Sequence, residues 1–207
     1  MKTEWKGGTL LAPVPAVMVT VGGRENANII TIGWTGIINS EPPKTYISVR
    51  PERYSHDLLM ETKEFVINMV PASMAEACDY CGMVTGRKVN KWEKCGLTME
   101  ASSAVATPRI AECPMALECR VTDILHLGTH DMFMADILKV ALDESLLDDE
   151  GRLDMARAGL CCYAHGTYYA VGDMLGRFGF SMAEKKNGRG AMVAPTKKAP
   201  ARQFRKK

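Results

Sequence analysis

The 207-residue chain is 46% hydrophobic and 24% charged, with a net charge of +2. That balance fits one folded domain with a sizeable core and excludes disorder of the whole chain. No apolar run approaches the roughly 20 residues needed to span a bilayer as a helix. Charge is nevertheless unevenly placed: nine Lys or Arg face one acidic residue from Glu184 to Lys207, which leaves −6 on residues 1–183.

The first residues, MKTEWKGGTLLAPVPAVMVTV, are broken by Gly and Pro and carry an acidic residue. They lack the apolar stretch of a signal peptide, so a cytoplasmic protein is expected. Seven cysteines are an odd number, and reduced thiols are the simplest reading for that compartment.

Ala16 to Val21 is a continuous apolar run between Pro15 and Gly22-Gly23 and predicts a strand buried on both faces. Asn28 to Trp34, Thr45 to Val49 and Glu64 to Val70 predict three more. Between the last two, Leu58, Leu59 and Thr62 fall at helical spacing, with Ser55 as the expected cap of a helix reaching Lys63. Pro71 to Tyr80 predicts a second helix with proline near its first turn, and Glu93 to Ala106 carries no firm pattern. Met115 to Leu125 and Met132 to Leu142 flank the polar loop Gly128 to Asp131 as a hairpin. Asp148 to Arg152 predicts a turn and Leu160 to Val171 a last strand. Many strands with short helices between them, and no regular βαβ alternation, predict a mainly β protein with added helices, closed or partly closed into a barrel.

Asn28 to Asn68 reads NIITIGWTGIINSEPPKTYISVRPERYSHDLLMETKEFVIN. Its order and spacing of Asn28, Thr31, Gly33, Trp34, Pro43, Arg53, Ser55, His56, Phe65 and Asn68 resemble the flavin reductase-like, flavoredoxin-type family. Two later stretches are similar to that family too. One is Gly86 to Trp92, with Asn90 and Trp92 where the family commonly has Asp and Phe. The other is Tyr163 to Tyr169 followed by Gly172 to Gly179. The resemblance covers most of residues 10–180. It implies an FMN-binding split β-barrel over residues 1–183, a homodimer with FMN near the dimer interface, and either reduction of flavin by NAD(P)H or electron transfer with a redox protein. Residues 184–207 lie outside it and are expected to be a basic, flexible, solvated tail for which nucleic acid is not the favoured partner.

The same residues suit the chemistry. A flavin phosphate needs cations and aimed N–H donors, and Arg50, Arg53, Ser55 and His56 stand at a strand end and a helix start. The ring needs backbone donors, acceptors and packing, for which Thr31, Ile32, Gly33, Trp34 and Thr35 are suited, with Ser48 on the following strand. Gly33 permits close approach of the backbone. Arg87, Lys88 and Lys91 are candidates for the phosphates of a nicotinamide, with a solvated basic loop as the competing reading. His165 is a cleft candidate through the family-like terminal segment, whereas His126 and His130 read as surface or packing residues. Hydride transfer between stacked rings needs no protein nucleophile and no metal, so no catalytic side chain is assigned. There is no GxGxxG, and Gly82 to Lys88 has the wrong spacing for a P-loop. Cys78 and Cys81 form a CxxC on a predicted helix, read as structural cysteines, with a thiol or metal sensor as the rival.

Overall fold

The computed structural model describes residues 1–182. The chain divides into two units, Met1–Val171 and a second that begins at Gly172. In the second, residues 172–182 are described and hold a 3-10 turn at Phe180–Met182. The expected basic tail from Glu184 lies outside the described residues.

The first unit begins with β1 (Val14–Pro15), β2 (Val17–Val21), β3 (Asn28–Ile32), β4 (Thr35–Ser40) and β5 (Pro43–Val49). Then come α1 (Tyr54–Thr62), β6 (Glu64–Met69), a 3-10 turn at Ala72–Met74, α2 (Ala75–Met83) and α3 (Lys91–Cys95). The short β7 (Met99–Glu100) and β8 (Arg109–Ile110) pair with each other. The long β9 (Met115–His126) and β10 (Asp131–Leu142) form a hairpin, and β11 (Cys161–Ala164) with β12 (Thr167–Ala170) forms another.

Seven strands make one antiparallel sheet in the order β3-β2-β6-β9-β10-β5-β4. Its two edge strands, β3 and β4, are consecutive in the chain and joined by Gly33-Trp34 alone. A flat sheet of this size would hold those edges about 29 Å apart, while three Cα steps reach only about 10 Å. The sheet therefore curls until its edges meet at Gly33-Trp34. The two edges do not pair with each other, so the barrel stays split, as the mainly β, split-barrel expectation requires.

Alternation fills this barrel. Val17, Val19, Val21, Ile30, Ile32, Ile47, Val49, Phe65, Ile67, Phe133 and Ala135 form the interior cluster, with Leu58 and Leu59 of α1 packed into it. The opposite faces of β2 and β3 are buried as well. Met18 and Ile29 join Cys78 and Cys81 of α2, Trp92 of α3 and Cys161 of β11 in a second cluster. Burial on both faces explains why β2 reads as an unbroken apolar run rather than an alternating one.

Several predicted boundaries move. The second run stops at Ile32, and Thr35–Ser40 is a separate edge strand. Leu160 to Val171 is a hairpin and not one strand, turned through His165 (φ 44°) and Gly166 (φ 87°). Two successive residues at positive φ suit the two-residue loop of a tight hairpin. Ser55 does not cap α1: Arg53 stands at the N-cap without a side-chain bond. Ser55 instead lies in the first turn, buried, where its Oγ accepts a 2.8 Å hydrogen bond from Asn28 Nδ2. Asn90 caps α3, accepting from the Trp92 and Glu93 N–H groups.

Candidate functional site

A cavity of about 340 Å³ opens where the sheet edges meet. Ile30, Thr31, Ile32, Gly33 and Trp34 form one wall, and Ser48, Val49, Arg50 and Arg53 form another. Asp79 and Met83 of α2, His130 of the β9–β10 loop, and Tyr163, Gly166 and Tyr168 of the terminal hairpin complete it. The backbone link supplies much of this site: the Ser48 N–H donates to the Trp34 carbonyl at 3.0 Å, which pins the Gly33-Trp34 crossing onto β5. Trp34 itself remains 44% exposed and packs against His130, with ring centroids 4.6 Å apart and planes tilted by 43°. Partial burial, then the neighbouring Arg50 charge, hold the His130 imidazole below its ordinary pKa.

A second cavity of about 170 Å³ shares Ile30 and Arg53 with the first and adds Asn28, Tyr54, Ser55, Cys81, Gly86 and Lys91. It sits at the N-terminal turn of α1, where the opening N–H groups of a helix have no intrahelical acceptor. A third, of about 350 Å³, shares Asn28, Tyr54, Gly86 and Lys91 with the second and adds Arg87, Lys88, Asn90 and Trp92. The three are neighbours, each sharing lining residues with the next. The first has aromatic and aliphatic sides, and the others are polar with cationic residues.

Each sequence-predicted site residue has a definite place. Thr31, Ile32, Gly33, Trp34, Ser48, Arg50 and Arg53 all line the first cavity, and Ser55 lines the second. Thr31 lends backbone to that wall while its hydroxyl donates to the Cys78 carbonyl of α2. Arg53 lies on both cavities and reaches the Gly82 carbonyl through Nη1 at 3.4 Å. Arg50 meets Glu52 at 3.3 Å. Thr35 is one step beyond the cleft, its Oγ1 donating to the Tyr46 carbonyl. His56 is turned away toward the barrel end, with Nε2 2.7 Å from Asp131 Oδ2 and its ring edge-on to Phe133.

Arg87 and Lys88 border the third cavity, and the Arg87 guanidinium is engaged by Asp57 at 2.5 Å and lies over Tyr54. Lys91 is the least expected. It is only 3% exposed, and its Nζ donates to the carbonyls of Ile29 at 2.6 Å and Cys81 at 2.7 Å. It thereby ties α2 to β3, and burial pulls its pKa down to about 8. His165 occupies the exposed turn of the last hairpin, while its neighbour Gly166 lines the first cavity.

Sequence reasoning missed Asp79, Met83, His130, Tyr163 and Tyr168 on that cavity. Tyr163 and Tyr168 are cross-strand partners with ring centroids 5.3 Å apart. Burial, together with nearby acidic groups that include Asp79, holds the Tyr168 phenol protonated well above its usual pKa. Two tyrosines flanking a two-residue turn are a signal that the sequence carries; the approach of α2 and of the β9–β10 loop is not. Among the described residues, no group of three or more His, Cys, Asp or Glu is placed to hold a metal ion.

Comparison with known proteins gives the same picture. Residues 10–172 match the family model described as "Flavin reductase like domain". The fold is similar to flavoredoxin of Desulfovibrio vulgaris (Miyazaki F), with a TM-score of 0.81, 30% identity, and coverage of 86% of this chain and 97% of that one. It is also similar to flavoredoxin from Methanosarcina acetivorans, with a TM-score of 0.80, 26% identity, and coverage of 88% and 99%. An Archaeoglobus fulgidus protein of uncharacterised function is 33% identical over 128 residues, 62% of this chain and 72% of that protein. With most of its length matched by the family model and a flavoredoxin covered nearly end to end, the chain belongs to the flavin reductase-like family.

Proposed function

We propose that this protein binds FMN non-covalently and serves as a cytoplasmic, homodimeric redox protein, taking electrons from NAD(P)H or from a redox protein. The observation that carries the reading is the adjacency of two cavities: one lined by Trp34, Ile30 and Gly33 shares Ile30 and Arg53 with a polar one at the first turn of α1. A flat ring system with a phosphate arm needs those two environments in that order. The combined space is in the range of sites for ligands of this size.

In this reading the 31–34 backbone and Ser48 hold the polar edge of the ring, and Trp34, Met83 and Tyr168 line its faces. Arg53, Ser55 and the α1 first-turn N–H groups receive the phosphate: the helix end offers unpaired donors and a positive dipole end, and arginine adds a bidentate donor pair. Lys91, anchored to two carbonyls, is a fixed charge beside them and not a mobile one. Bound FMN supplies the one- and two-electron chemistry. The chain's own contribution is to orient the ring, to flank it with the Trp34–His130 pair, and to leave room beside it for a donor.

The visible spectrum of the freshly purified protein, followed by chromatography of any released chromophore, tests the proposal. A yellow protein releasing FMN and bleached by NAD(P)H or a reduced redox protein is the expected result. A protein that is colourless and fails to bind added FMN would overturn it.

A further inference from the structure

Five of the seven cysteines meet in one buried region outside the barrel. Cys78, Cys81, Cys113 and Cys161 belong to the second core cluster, and the half-buried Cys95 packs against it. The CxxC pair on α2, Cys78 and Cys81, stands on one helix face, but each turns to a different neighbour. Cys78 faces the Thr31 and Cys161 side. The Cys81 thiol lies 4.0 Å from the Cys95 thiol, which ends α3. The CxxC spacing therefore does not identify the thiols that are in contact.

We propose that Cys81 and Cys95 are an oxidisable dithiol site that closes to a disulfide on reaction with a hydroperoxide. Cys95 is the entry point because it is partly exposed, whereas Cys81 is fully buried. The Cys95 thiol is oxidised to the sulfenic acid as the peroxide O–O bond breaks and an alcohol or water leaves. Cys81 then attacks that sulfur, the S–S bond forms, the S–O bond breaks, and the Cys81 proton departs with the hydroxyl as water. Two thiols have lost two electrons, and one equivalent of a reduced dithiol, or two of a monothiol, restores them by exchange.

A disulfide needs its sulfurs about 2.05 Å apart, so each side chain must move inward by about one ångström from the present separation. The C-terminal end of α3 is suited to this. That helix has five residues, is pinned at its start by the Asn90 cap and the Trp92 bond to the Ala27 carbonyl, and ends on Gly96 in the left-handed region. Cys81 has no exposed surface, so bulk oxidant does not reach it, and the sulfur it can attack is the one 4.0 Å away on Cys95; the same burial pushes its thiol up to about 12 and makes that closure the slow step. The bond would lock α2 to α3 across Lys91, whose Nζ is held by the Cys81 carbonyl, and would stiffen the wall of the second cavity.

The test treats the native protein with a small excess of hydrogen peroxide, then denatures it, alkylates free thiols and records intact mass and peptide maps. The expected product is lighter by two hydrogens, carries five alkylated cysteines of the seven, and links the peptides holding Cys81 and Cys95. Dithiothreitol restores all seven. In Cys95→Ser the hydrogen loss disappears, and in Cys81→Ala the product becomes a Cys95 oxygen adduct. Seven alkylated thiols after treatment, oxygen adducts alone in the wild type, or a link through any other pair would each overturn the proposal. Because neither readout uses flavin, its failure and failure of the FMN reading are separate results.

Discussion

Asn28 and Ser55 join the first edge of the barrel to the first turn of α1: the Asn28 side-chain amide donates to Ser55 Oγ at 2.8 Å, with both residues buried. The bond fixes the helix start relative to β3, and so fixes the polar cavity relative to the aromatic one. Ser55→Ala leaves a buried N–H unpaired, so it should destabilise the fold by about 1–3 kcal/mol. For a chain of this length that is a fall in melting temperature of about 2–4 °C per kcal/mol. Asn28→Ala with Ser55→Ala should cost less than the two single changes added, a coupling that calorimetry on the four proteins of the cycle measures.

Gly86 rests against the same asparagine. A Cβ at position 86 would overlap the Asn28 side chain, lying 2.6 Å from its Cγ. Gly86→Ala must therefore expel the Asn28 amide and break its bond to Ser55, at a cost of about 1–3 kcal/mol or more. In an Asn28→Ala background the same change should be far milder. Equal penalties in the two backgrounds would show that Gly86 is needed for another reason.

Asp131 is the acid-sensitive point beside the first turn of α1. The residue is 5% exposed, and its carboxylate lies 2.7 Å from His56 Nε2 and 2.8 Å from His126 Nδ1. The His56 hydrogen bond is the main cause holding its pKa below the ordinary 3.8, and the His126 bond adds to it. A carboxyl depressed in the folded state stabilises that state above its unfolded pKa and ceases to do so as pH falls through the folded value. Denaturant titrations should thus show a loss of stability below about pH 4 that Asp131→Asn lacks, with the variant less stable than the wild type at pH 7.

Much of the fold was legible because burial writes a strong pattern. Val17–Val21 and Glu64–Met69 are buried along nearly their whole length, and both appear in the sequence as apolar runs. Thr35–Ser40 was not legible, since an edge strand paired on one side and mostly exposed needs no apolar alternation. The first cavity was half legible. The residues at Thr31–Trp34 and Arg50–Arg53 come from one continuous stretch, whereas Asp79, His130 and Tyr168 reach the cavity from distant segments through tertiary packing. Lys91 looked like a free basic residue in a loop. Only the fold shows its Nζ consumed by two backbone carbonyls.

Comparison of FMN with riboflavin is the most direct measurement of the central claim that the cleft takes a flavin with its phosphate at Arg53 and the start of α1. Flavin-free protein is titrated with each ligand by fluorescence quenching, for the wild type and for Arg53→Ala. A lost charge-assisted contact is worth about 1.5–3 kcal/mol, so the wild type should prefer FMN by at least about tenfold, and Arg53→Ala should weaken FMN while sparing riboflavin. Equal affinity for the two ligands in the wild type, or equal weakening of both in the variant, would contradict the placement of the phosphate.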